Sequence, residues 1–132
     1  MQAGFDDASR VTPAAFEAWF NEKLADVSCL QAVLESADGT PIGQVRFEQL
    51  EAGSIEADVS VDAHWRGKGV GKALLAEGMR FAKSHWPSTT KVVAKIRTEN
   101  APSERLFRGS GFAAAGAGIV DGRLYLLMER LL

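Results

Sequence analysis

The chain has 132 residues and a mass of 14.2 kDa, with 46% hydrophobic and 24% charged residues and a formal net charge of −2. That size and balance fit one folded domain over residues 1–132 and argue against a disordered chain or a fibrous repeat. No apolar run approaches the ~20 residues needed to cross a bilayer, and the opening "MQAGFDDASR" lacks the basic and apolar stretches of a signal peptide, so a cytoplasmic protein with no membrane partner is expected. Cys29 is the sole cysteine; no intrachain disulfide or thiol metal cluster can form, no metal is expected, and its apolar neighbours suit a small core residue. The charge is unevenly spread: residues 66–108 carry +7 and the remainder −9. A basic middle in an acidic chain points to an anion site of limited extent.

In chain order, Thr12-Pro13 reads as a helix start, and Phe16, Trp19, Phe20 and Leu24 at helical spacing predict a helix over 13–25. Residues 28–36 and "IGQVRFEQL" predict two antiparallel strands around the turn in "ADGTPIG". In "SIEADVSV" the alternation is clean: Ile55, Ala57, Val59 and Val61 share one face, and Glu56, Asp58 and Ser60 the other. Val70, Leu74, Leu75, Met79, Phe81 and Ala82 mark a long helix that stops before Trp86-Pro87. "KVVAKIR" is a fourth strand, "NAPSERLFRGSGF" a short helix over 101–108 with Asn100 as N-cap, and two last strands flank the Asp121-Gly122 turn.

Between the third strand and the long helix stands "RGKGVGKALL". As a Walker A loop it has Arg66 where the first glycine belongs and Ala73 where the metal-binding hydroxyl belongs. As a dinucleotide fingerprint, Gly67 and Gly69 lead to Lys72, while Gly69 and Gly71 lead to Leu74. Neither pattern is met. What remains is a glycine loop at the positive end of a helix, whose backbone N–H groups suit a pyrophosphate.

Arg66-x-x-Gly69-x-Gly71, placed after an alternating strand and at the head of a helix, resembles the acyl-CoA loop of the GNAT N-acetyltransferases. Asn100-x-x-Ser103-x-x-Leu106-Phe107-x-x-x-Gly111-Phe112 resembles that family's second signature. The resemblance covers about residues 28–131 and implies an α/β (α+β) fold: a mixed, mostly antiparallel, strongly bent sheet of about six strands with helices on both faces. It implies acetyl-CoA as the cofactor, with pantetheine in a splay between the strands of 55–61 and 92–97, pairing with backbone groups of Val59 and Val61 as an added strand would. Gly67, Gly69, Val70 and Gly71 would donate backbone N–H groups to the pyrophosphate, and Arg66, Lys68 and Lys72 would balance its charge. Asn100 would bond pantetheine amides, Ser103 would sit near the cofactor, and Phe107 would pack beside its sulfur end.

The implied function is acetyl transfer from acetyl-CoA to the amine of a small molecule, an amino sugar being one candidate from "FEAWF" and "IGQVRFE". Glu56 and Asp58 are the candidate catalytic bases; His64 could titrate near neutrality but reads as an exposed turn residue. Many family members carry a tyrosine matching Phe107 whose phenol protonates the sulfur, and phenylalanine has no such proton. A non-catalytic acyl-CoA-binding module is therefore the alternative. The sole tyrosine, Tyr125, reads as a packing residue. The family's N-terminal strand looks to be missing, so residues 28–36 would form an open edge, implying a homodimer or a fragment of a longer protein. Nucleic acid is not expected as a partner, because aromatic residues do not interleave with the basic stretch.

Overall fold

The computed structural model describes residues 20–22, 28–51 and 53–132. They form a seven-stranded sheet: β1 (Phe20–Glu22), β2 (Cys29–Glu35), β3 (Pro41–Gln49), β4 (Ser54–Val61), β5 (Lys91–Arg97), β6 (Ala113–Val120) and β7 (Arg123–Leu131), in the order β1-β2-β3-β4-β5-β7-β6. Helix α1 (Val70–His85) links β4 to β5, and helix α2 (Ala101–Gly109) links β5 to β6. All pairings are antiparallel except β4–β5. The mixed, mostly antiparallel architecture is the one expected, with one strand more.

That extra strand corrects two expectations. The helix placed at 13–25 lies outside the described residues except at 20–22, where the backbone is extended and pairs with β2 through Phe20↔Ala32 and Glu22↔Leu30. The free edge of β2 supplies backbone partners, and such tertiary pairing overrides local helical spacing. In consequence the strand at 28–36 is not an open edge: β2 is flanked by β1 and β3, and among the described residues the sheet runs from β1 to β6.

Alternation decides which face of the sheet is buried. Leu30, Ala32 and Leu34 of β2, Val45 and Phe47 of β3, Ile55 and Ala57 of β4, and Val92, Ala94 and Ile96 of β5 join one core with Leu74, Leu75, Met79 and Ala82 of α1 and Phe107 of α2. Both described helices thus pack on one face. The opposite face of β3 and β4 carries Gln44, Arg46, Glu48, Glu56, Asp58 and Ser60. The helices expected on both faces are thus described on one face only, and most of the helix expected at 13–25 lies outside the described residues.

Two local features carry measurable consequences. A Cβ at Gly78 would stand 2.6 Å from Phe47 Cε2 and 3.1 Å from Val45 Cγ1, so α1 lies on β3 with no room for a methyl. Gly78→Ala should therefore lower stability by about 1–2 kcal/mol, because overpacking outweighs the helix advantage of alanine; denaturant titration reads the change. In the β2–β3 turn the Asp38 carboxylate accepts hydrogen bonds from the Ser36 hydroxyl and the Thr40 backbone N–H. These bonds, with Ser36 the largest contributor, lower its pKa from 3.8 to about 2. Because the folded value is depressed, the stabilisation is present above about 3.8 and fades as pH falls towards 2. An NMR titration should find Asp38 still ionised at a pH where an ordinary aspartate is half protonated, and Ser36→Ala should raise its midpoint.

Candidate functional site

The site originates in the divergence of two strands. β4 and β5 share only three register pairs, Ser54↔Lys91, Ile55↔Val92 and Glu56↔Val93, and then part. β5 stays in the sheet through seven pairs with β7, from Lys91↔Leu131 to Arg97↔Tyr125. β4 stays paired with β3 as far as Gly43↔Val61. The far half of β4 therefore has a strand on one side only.

Register identifies the backbone groups left over. The Asp62 N–H donates to Ile42 O at 2.8 Å, so Asp62, Ser60, Asp58 and Glu56 point their backbone groups at β3. By alternation, Val59 and Val61 point theirs into the splay. One of these is engaged: the Val61 carbonyl accepts from Arg66 Nε at 3.1 Å. The Val59 N–H and C=O and the Val61 N–H are presented to the gap that β5 has left.

A cleft of about 640 Å³ opens there, between the end of β4, the glycine loop, the start of α1 and one side of α2. Gly67 and Gly69 have φ of 76° and 81°, the left-handed region that other residues enter at a cost. Gly69 is the N-cap of α1, no side chain caps that helix, and its first turn holds no acid. The free N–H groups and the positive end of the helix dipole thus face the cleft unneutralised. Gly71 has a different role: a Cβ there would meet Leu106 Cδ2 at 3.2 Å and Val61 Cγ2 at 3.4 Å, so its lack of a side chain lets α1, α2 and β4 converge.

Of the residues singled out in the sequence, Val59, Val61, Arg66, Gly67, Gly69, Val70, Gly71, Lys72, Asn100 and Ser103 line this cleft together. Lys68 is exposed in the loop and outside the lining. Asn100 also acts as a cap, its side-chain oxygen accepting from the Ser103 N–H at 3.2 Å, which leaves its amide N–H groups for a ligand. Phe107 does not line the cleft. It is 2% exposed and meets Phe112 edge-on, with ring centroids 5.0 Å apart.

Glu56 and Asp58 project from the other face of β4. Glu56 lies in a row that crosses the sheet as Glu48, Glu56, Val93 and Glu129. Glu48 is paired with Arg46 at 3.4 Å and Glu129 with Lys91 at 3.6 Å, whereas Glu56 has no ion pair among the described residues. On the facing wall, β5 carries exposed Lys95 and Arg97 with the same parity as Val93. His64 is exposed in a single 3-10 turn, Ala63–Trp65, outside the cleft lining. Tyr125 is half-buried on β7 opposite Arg97.

The sequence reading missed Ser60, Trp65, Pro102, Arg105, Leu106 and Gly109, which also line the cleft. Pro102, Arg105, Leu106 and Gly109 follow helical spacing, and that periodicity was the available signal. Among the described residues no helix is long and apolar enough to cross a membrane.

These features can be set beside known proteins. Residues 3–112 match the family model described as the Acetyltransferase (GNAT) family. The L-amino acid N-acetyltransferase AaaT of Escherichia coli (strain K12) is 26% identical over 103 residues, covering 75% of this chain, and this chain spans 63% of the length of AaaT. YwnH of Bacillus subtilis (strain 168), provisionally named a phosphinothricin acetyltransferase, is 31% identical over 128 residues, 90% of this chain and 76% of YwnH. A crystal structure provisionally titled as a phosphinothricin N-acetyltransferase superposes with a TM-score of 0.70 at 28% identity, covering 98% of this chain and 86% of the other. With the glycine loop, the splayed strands and the family match all in one chain, the protein belongs to the GNAT acetyltransferase family.

Proposed function

We propose that the chain is an acetyl-CoA-dependent N-acetyltransferase acting on a small-molecule amine. The observation that carries this is the uncapped, acid-free start of α1 at the mouth of a splay lined by free β4 backbone groups. The donor set fits the cofactor in kind: N–H groups with Lys72 for a pyrophosphate, and strand-edge amides with the Asn100 amide for a pantetheine arm. When bound, acetyl-CoA supplies the thioester carbonyl and a thiolate leaving group.

The chain's own contributions divide by face. One of the two N–H groups aimed into the splay, that of Val59 or that of Val61, would donate to the carbonyl oxygen as negative charge develops there, leaving the other for the pantetheine arm. From the opposite face Glu56, the one carboxylate of its row without an ion pair among the described residues, would receive the proton of the acceptor ammonium, with Asp58 one strand repeat farther on. Phe107 gives no proton to the departing sulfur; a thiol with an ordinary pKa of about 8.5 leaves without one at a moderate cost in rate.

The acceptor assignment rests on charge. An acidic β4 wall faces a basic β5 wall across the widening gap, which suits a zwitterion whose ammonium meets Glu56 and whose anion meets Lys95 and Arg97. The names of AaaT and YwnH, an amino acid enzyme and one provisionally of an amino acid analogue, support that class. A neutral-bodied amino sugar would leave both cations unused. A cytoplasmic setting agrees with the free, buried Cys29 thiol. The place for a homodimer contact is β6, exposed at all eight positions and at the edge of the sheet.

Two measurements test the proposal. Calorimetry should show acetyl-CoA binding, weakened about tenfold or more by Gly69→Val through backbone strain at the loop; no binding by the unaltered chain would remove the proposal. Thiol release with an amine panel should require an amine and fall by about 10²–10⁴ in Glu56→Gln. L-Amino acids should be better acceptors than matched amines lacking the carboxylate, with Arg97→Glu erasing the difference. Binding without amine-dependent release would assign the chain to the non-catalytic module instead.

A further inference from the structure

The cleft holds more positive charge than a pyrophosphate at the glycine loop uses. Its lining contains three cations, Arg66, Lys72 and Arg105, and no acid. Arg66 is committed to the Val61 carbonyl through Nε, and Lys72 belongs to the first turn of α1 beside the free N–H groups. Arg105 is on the other wall, in α2, on the helix face that also presents Pro102, Leu106 and Gly109.

Its neighbour Arg108 is ion-paired with Glu104 at 2.9 Å and lies outside the lining. Arg105 is exposed and has no hydrogen bond or ion pair among the described residues. A guanidinium in the cleft lining, without an acid there to neutralise it and carried by a different helix from the pyrophosphate cradle, calls for a second anion on the same ligand. Its planar fork matches a phosphomonoester through two parallel N–H bonds.

Resting on the transferase reading above, we propose that Arg105 binds the 3′-phosphate of the CoA ribose and makes the protein selective for CoA over 3′-dephospho-CoA. The adenosine end then lies against α2, with Pro102 and Leu106 as its apolar support. Gly109, where a Cβ would meet nothing within 4 Å, leaves that end of the cleft open.

The test is calorimetric titration of the full chain with CoA and with 3′-dephospho-CoA. The unaltered protein should favour CoA by about five- to tenfold, in line with a charge-assisted bidentate contact at an exposed site. Arg105→Ala should lower CoA affinity to that of the dephospho form and leave dephospho-CoA unchanged. Arg105→Lys should restore part of the preference, and Arg108→Ala should retain all of it. The preference should also shrink as salt rises. Equal affinity of the unaltered protein for the two ligands, or an Arg105→Ala loss shared by both, overturns the assignment and leaves the transferase reading standing. Failure of the unaltered protein to bind either ligand overturns both.

Discussion

Everything at the site depends on two parallel strands that stop pairing. A sheet normally satisfies each backbone N–H and C=O with a neighbour, and groups left over need another partner. Here β4 and β5 separate after Glu56↔Val93, yet neither can relax towards the other, since β3 holds one and β7 the other. The gap is maintained by the rest of the sheet. Unpaired groups of Val59 and Val61 are thereby kept on display inside a folded core, where a strand-like ligand can complete the ladder.

Alternation along β4 does the remaining division. Residues of one parity, Ile55 to Val61, join the helical face and the anion-binding loop. Those of the other parity, Glu56 and Asp58, project from the opposite face. In the proposed reaction one strand would thus serve two substrates from opposite faces of the sheet, and the groups assigned to the donor would not compete for space with the group assigned to the acceptor's proton. The cost appears at Phe107, whose ring is committed to the core beside Phe112 and gives the site no acid.

Much of this was legible in the chain. The strict alternation of 55–61, the glycine loop and the apolar spacing of α1 are local signals, and the structure carries each of them. Asp121-Gly122 forms the predicted hairpin turn, with both residues at positive φ. Other features have no local signature. The parting of β4 and β5 is a property of the whole sheet, and so is the capture of Phe20–Glu22 by β2 against its helical spacing. The burial of Phe107 depends on how α2 is docked, which periodicity alone does not give, whereas the cap made by Asn100 is local and was legible. Arg105 could have been found by extending the Asn100 and Ser103 motif around the helix to the face that includes residues 102, 106 and 109.

The bond from Arg66 to the Val61 carbonyl ties the first residue of the loop back to the strand that precedes it. With two left-handed glycines and the root of α1 downstream, that tie shapes the loop through the chain's own bonds. A cradle held in this way lowers the ordering cost of a ligand that binds it. For the anionic donor proposed above, encounter with the cradle would be governed by diffusion and by the field of its basic rim.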